Sequence, residues 1–225
     1  MLQSFFNDYN WMVIPAALTA IMVHEVCHGL TALILGDTTA RDRGRLTFNP
    51  LRHIDVVGLL AILVLRFGWA KPVPVDMRFF KNPKRGMALV ALAGPASNFA
   101  LAGLSILCFG FTREAYVLRV VGLPYSEPVY ALFHFFLVLT QISVGLGIFN
   151  LIPIPPLDGF KIAGSFMPDA WYYRIMHYER FGFIALIGLL YIPGALDWLG
   201  VARGAVTDAL AWVFLAPSNW LMGWA

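Results

Sequence analysis

The 225 residues are 59% hydrophobic and only 13% charged, with a mean hydropathy of +0.71. Soluble globular domains carry about 25% charged residues, so the composition excludes an ordinary water-soluble enzyme. It also excludes disordered, collagen-like, disulfide-rich secreted and nucleic-acid-binding classes. The net charge of +3 does not imply a polyanionic partner, because in a membrane protein the placement of the basic residues carries the information.

A spanning helix needs roughly 20 apolar residues to cross a hydrocarbon core of about 30 Å. Residues 1–10 hold no Lys or Arg, so no cleavable signal peptide is expected and the first apolar stretch is expected to be retained. That stretch runs uncharged from Tyr9 to Val23, meets His24-Glu25-Val26-Cys27-His28, and continues apolar to Gly36. It is the first expected span. The ten apolar residues Val56 to Leu65, between Asp55 and Arg66, are too few to cross. Met87 to Thr112 and Pro128 to Leu157 are uncharged and give the second and third spans. Phe181 to Leu196 is shorter and contains Pro193, and is expected as a fourth. The Trp-rich tail from Ala209 to Ala225 is a fifth span or an interfacial helix. Cys27 and Cys108 fall in apolar stretches and read as small hydrophobic fillers.

Charge placement orders these segments. Ten of the 16 Lys and Arg lie between residues 36 and 86, on both sides of the short Val56–Leu65 stretch. If that stretch crossed, one basic flank would lie outside, against the positive-inside tendency. A re-entrant segment, of hairpin type and near residues 45–75, keeps both flanks cytoplasmic. The 155–180 loop adds Lys161, Arg174 and Arg180, leaving Arg113, Arg119 and Arg203 outside. The expectation is an all-α polytopic membrane protein of about five transmembrane helices, or four plus an interfacial helix, with an outside N-terminus. With no linker, repeat or low-complexity tract, residues 1–225 read as one domain.

The chemistry lies inside the first span. His24 and His28 fit H-E-x-x-H, and residues four apart share one helix face at about 6 Å, where two imidazoles can bind one zinc ion. Glu25 is placed to accept a proton from the attacking water. The bland alternative is a pair of helix histidines satisfied by neighbours. Ionisable groups within a span are costly and usually functional, which favours a metal. A catalytic zinc takes three protein ligands, yet no Glu occurs between Glu25 and Glu114, and positions 31 and 34 are Thr and Ile. The third ligand should be Asp or another His. Asp158 is a candidate, in Asn150-Leu-Ile-Pro153-Ile-Pro155-Pro156-Leu-Asp158-Gly159, where three prolines break the helix. Spacing alone leaves His53, Asp55 and Asp37 open beside it. His134 and His177 read as packing and interfacial residues, and Arg41, Arg43, Arg45, Lys81, Lys84 and Arg85 as topology determinants touching anionic lipid.

The ordered pieces HEVCHG (24–29), GRLTFNPLRHIDVVG (44–58), GWAKPVPV (68–75), AGPASN (93–98) and NLIPIPPLDG (150–159) resemble the site-2 protease family of intramembrane zinc metalloproteases. The likeness is to the short form without a PDZ or CBS domain, and it covers about residues 10–165, with residues 166–225 as further helices. The resemblance implies His24, His28 and Asp158 as ligands of one zinc ion per chain and Glu25 as catalytic base. It associates Asn98 and Asn150 with the active-site region in a supporting role. It implies hydrolysis of a peptide bond within or near the membrane span of single-span substrates, in the lipid bilayer of a bacterial-type plasma membrane. The site would open toward the cytoplasm, and no nucleic-acid partner is expected. The rivals are a metal-binding membrane transporter and an inactive family member that binds spans without cutting.

Overall fold

Apolar helices dominate because a backbone in hydrocarbon must satisfy its own polar groups. The computed structural model describes residues 10–58, 61, 69–124 and 126–221. A 3₁₀ turn, Asn10–Met12, leads into α1, Val13–Ile34, whose 22 residues measure roughly 33 Å at 1.5 Å per residue. The one-turn α2, Thr39–Asp42, and 3₁₀ turns at Pro50–Arg52 and Met77–Phe79 precede α3, Pro83–Val120. Then come α4 (Glu127–Asn150), α5 (Asp158–Gly164), α6 (Asp169–His177), α7 (Glu179–Leu190) and α8 (Asp197–Leu221). Among the described residues four helical stretches are long and apolar enough to cross a membrane: Val13–Ile34, Pro83–Arg113, Glu127–Asn150 and Asp197–Ala216. The protein is an all-helical, polytopic integral membrane protein.

Two expectations about span positions are corrected. Residues 181–196 do not form a span: α7 has 12 residues, roughly 18 Å, too short for the hydrocarbon core. It ends before a turn at Pro193-Gly194, where Gly194 takes the left-handed φ of 79°. The last span begins at Asp197, ahead of the expected Ala209. Asp197, Arg203 and Asp208 broke the apolar run in the sequence, yet α8 carries all three. Arg203 lies over the side-chain-free face of Gly145 of α4, which leaves room for its alkyl stem. Residues 222–225 lie outside the described ones.

The re-entrant segment near residues 45–75 is described in part, since residues 59–60 and 62–68 are not. Its described ends meet in one isolated antiparallel bridge, Ile54 to Ala70, beside a bond from Lys71 N–H to His53 O at 2.9 Å. No strand occurs among the described residues.

The chain divides into two compact units. The described part of one comprises residues 10–20, 98–146 and 198–221. Its core sets Ala16 and Ala20 of α1 against Leu139 of α4, flanked by Leu101, Phe135 and Ile142. Small residues there let helix backbones approach closely, the usual packing solution in lipid. Phe214 of α8 packs on Gly103 of α3 in the same way. The other unit comprises residues 21–97 and 147–197, with Ala32, Phe80 and Val90 at the centre of its core and Leu35, Val75 and Met77 around them. It contains the candidate metal centre.

Candidate metal centre

Helical spacing puts His24 and His28 on one face of α1, their rings 4.5 Å apart edge to face. Asp158 comes from the far end of the sequence through a local break. α4 stops at Asn150, and Pro153, Pro155 and Pro156 supply no N–H to continue it. Tight bonds hold the turn instead, Ile154 N–H to Ile152 O at 2.8 Å and Leu157 N–H to Ile154 O at 2.9 Å. Asp158 then opens α5 and faces α1.

Three side-chain atoms converge. His24 Nε2 and His28 Nε2 are 2.9 Å apart, and each lies 3.1 Å from Asp158 Oδ2. All three residues are buried. His28 Nδ1 lies 2.7 Å from Val90 O. A carbonyl can only accept, so Nδ1 carries the hydrogen and Nε2 is the ring atom turned toward the triangle. That nitrogen faces a carboxylate oxygen, so a proton or a cation must lie between them. Burial pushes the Asp158 carboxyl up, but its hydrogen bonds with the two imidazoles and the Lys161 ammonium 3.6 Å from Oδ1 outweigh this. The carboxyl is held well below the usual carboxylate range and stays ionised.

The residues fit a zinc ion. Two imidazole nitrogens and a carboxylate oxygen are a zinc donor set, and ligands about 2.0–2.1 Å from a tetrahedral ion lie roughly 3.3 Å from one another. The triangle's edges of 2.9 and 3.1 Å need only a slight expansion. The bond from His28 to Val90 is the outer-shell contact that fixes tautomer and ring orientation in such sites. Among the described residues this is the only group of three or more His, Cys, Asp or Glu arranged to hold a metal.

Glu25 is half-buried on the same turn as His24, and its Oε2 accepts the Val73 N–H at 2.7 Å. The irregular segment 71–76 is anchored on its other side too, where Arg45 Nη2 donates to Lys71 O at 2.6 Å.

The three alternative ligands have other tasks. Asp37, fully buried, accepts the N–H groups of Thr39 and Asp76. His53 Nε2 donates to Thr47 O at 2.7 Å. Asp55 caps a short turn through Gly58 N–H. Asn150 ends α4 in the unit that holds the triangle, whereas Asn98 is buried in the other unit. His134 also belongs to that other unit, edge-on to Tyr130, and His177 stacks edge-on with Tyr178.

Sequence reasoning passed over Gly94. A Cβ there would lie 2.5 Å from His28 Nε2 and 2.6 Å from His24 Cε1, so only glycine lets α3 back onto both imidazoles. Gly159 is similarly confined, its Cβ position 2.1 Å from Leu151 O. Both stand in motifs already singled out, AGPASN and PPLDG, but a glycine's task is defined by what lies opposite it.

A buried His-His-Asp triangle whose histidines share an H-E-x-x-H helix is a donor set that could hold a metal ion. The family model of peptidase family M50 matches residues 12–191, and the chain belongs to that family. It is similar to YwhC of Bacillus subtilis, provisionally named a zinc metalloprotease: 37% identical over 219 residues, covering 94% of this chain and 96% of YwhC. It is also 29% identical to proteins named Rip2, with the same provisional description. The match spans 192 residues in Mycolicibacterium smegmatis and 199 in Mycobacterium tuberculosis H37Rv. In each it covers 83% of this chain and 69% of the relative. No solved structure matches significantly.

Proposed function

We propose that this protein is an intramembrane zinc metalloprotease that hydrolyses a peptide bond within or near the membrane span of single-span protein substrates. The observation that carries this reading is the convergence of His24, His28 and Asp158 beside Glu25 in a helix long enough to cross the bilayer. His24 is the twelfth of 22 residues in α1, roughly 17 Å from its start, which is mid-depth for a hydrocarbon core of about 30 Å.

His24, His28 and Asp158 would hold one zinc ion per chain. When bound, zinc supplies Lewis-acid chemistry, polarising the scissile carbonyl and making water nucleophilic near neutral pH. Glu25, its carboxylate oriented by the Val73 amide, takes the proton of the attacking water and delivers it to the leaving nitrogen. Val90 keeps His28 in the tautomer that presents Nε2. The substrate must unwind, because helical carbonyls are engaged in i→i−4 bonds. It would lie extended against residues 45–75. The basic loops 36–86 and 155–180 face the cytoplasm, and the site opens toward them.

The test pairs Glu25→Gln with Asp158→Ala in purified protein, reading zinc content and cleavage of a single-span reporter. Wild type is expected to carry about one zinc and to cut. Glu25→Gln should keep its zinc and lose cleavage by roughly 10²–10⁴-fold; Asp158→Ala should lose both. Undiminished cleavage by Glu25→Gln sinks the protease reading. Zinc transport into proteoliposomes that persists in Glu25→Gln would replace it with a transporter.

A further inference from the structure

We propose that a cationic pocket formed by Arg43, Arg45, Arg52 and Lys71 binds the phosphate of an anionic phospholipid headgroup. The proposal goes beyond the protease reading and does not depend on it. The pocket encloses about 310 Å³, with Leu51 and Ile54 completing its wall. That volume is at the small end of the roughly 300–1,000 Å³ typical of small-molecule sites, room for a headgroup rather than a folded partner.

The charge in it is unbalanced. Among the described residues no carboxylate lies within ion-pair distance of any of the four cations, although the neighbouring Arg41 and Arg78 are each paired with an Asp. Arg45 is 7% exposed; its Nη2 donates to Lys71 O, while its buried Nε finds no hydrogen-bond partner among the described residues. A planar guanidinium with an unpaired N–H, lining one pocket with three further cations, belongs to a donor set that suits an oxyanion. Burial presses the Arg45 guanidinium downward, the Glu25 carboxylate partly offsets this and the charge of Arg52 adds to it, so an anion seated in the pocket would relieve the cluster.

The surroundings select a lipid as the source of that anion. Phe48, Leu51, Val56 and Val57 belong to the same segment and are 66%, 76%, 70% and 64% exposed. Large apolar side chains left open around a basic cluster are the composition of a surface lying at the boundary of headgroups and acyl chains. A soluble phosphate ligand would need the cations but not this apolar rim. The pocket residues Lys71, Pro72 and Pro74 also flank Val73, whose amide holds Glu25. A headgroup there would brace the segment that orients the glutamate.

Delipidated full-length protein in detergent, titrated with phosphatidylglycerol, phosphatidylcholine or inorganic phosphate and read by native mass spectrometry, tests this. Wild type is expected to hold phosphatidylglycerol at least about tenfold more tightly than phosphatidylcholine. Arg52→Gln with Lys71→Gln should abolish most of that preference. Arg41→Gln with Arg85→Gln, which removes the same charge outside the pocket, should leave it within about twofold. Thermal melting in detergent checks the fold of each variant, and Arg43→Gln with Arg52→Gln substitutes if the first pair fails that check. Equal losses in the inner and outer pairs would mean diffuse surface charge and overturn the proposal. So would the absence of any preference, or displacement of the lipid by millimolar inorganic phosphate, which would assign the pocket to a soluble ligand.

Discussion

At the scale of single residues, the site depends on one atom that is absent. Glycine to alanine inside a helix normally stabilises by about 0.5–1 kcal/mol. At Gly94 the added methyl would meet both imidazoles at 2.5–2.6 Å, well inside van der Waals contact. The rings must separate, and the triangle of two imidazole nitrogens and the Asp158 oxygen opens. Gly94→Ala is therefore expected to stay folded and to lose zinc affinity by roughly 10–100-fold, the range for disturbed outer-shell contacts. Competition with a chelator of known affinity measures it, and unchanged affinity would show that α3 can back away without disturbing the rings. The histidine pair was legible in the sequence because helical periodicity is local: a spacing of four guarantees a shared face. Asp158 stands 134 residues from His24, and spacing alone could not choose it over Asp37, Asp55 or His53. Only the resemblance singled it out. What separates them in space is hydrogen bonding, since the other three are engaged with neighbouring backbone.

At the scale of elements, the break between α4 and α5 converts a spanning helix into a ligand carrier. Its prolines were plain in the sequence, and the helix stops ahead of them. Its tightness was not, because that rests on Gly159 packing against the carbonyls of Leu151 and Ile152. A methyl at Gly159 would meet backbone on both, so relief requires opening the turn rather than rotating a side chain. Gly159→Ala should destabilise by about 1–3 kcal/mol, as overpacking does. Thermal melting in detergent is expected to fall by several degrees, with zinc lost along with Asp158 placement. A variant that melts like wild type and keeps its zinc would contradict this account of the turn. The last helix shows the converse difficulty. Hydropathy broke at Asp197, Arg203 and Asp208, yet α8 runs through all three: Asp197 stands at the helix start and Arg203 lies over Gly145, while nothing in the structure explains Asp208. Hydropathy reads composition and cannot see which neighbour makes room.

At the scale of the whole molecule, the four spans and the basic loops make one consistent claim about the bilayer. Counting Val13–Ile34, Pro83–Arg113, Glu127–Asn150 and Asp197–Ala216 as crossings puts residues 36–82 and 151–196 on one side and residues 121–126 on the other. The structure supports that pairing independently. Lys84, at the start of α3, reaches Asp169 of α6 at 2.9 Å and also donates to Met167 O, contacts that need both loops on the same face. Thirteen of 16 basic residues lie on or beside those loops, and under the proposed topology the positive-inside tendency turns that face to the cytoplasm. Had residues 181–196 crossed, α8 would run in the opposite direction and the C-terminus would change sides. In a background with Cys27 and Cys108 replaced, a cysteine at Phe166, which is 88% exposed, should react with a membrane-impermeant maleimide only after the cells are opened. A cysteine at Leu123 should react in intact cells. A cysteine at Arg203 would report the α8 register, resisting label from both sides if that helix is embedded. Labelling of Phe166→Cys in intact cells would invert the topology and place the zinc site's access on the outer face. The reverse pattern at Leu123 alone would mean that α3 or α4 does not cross.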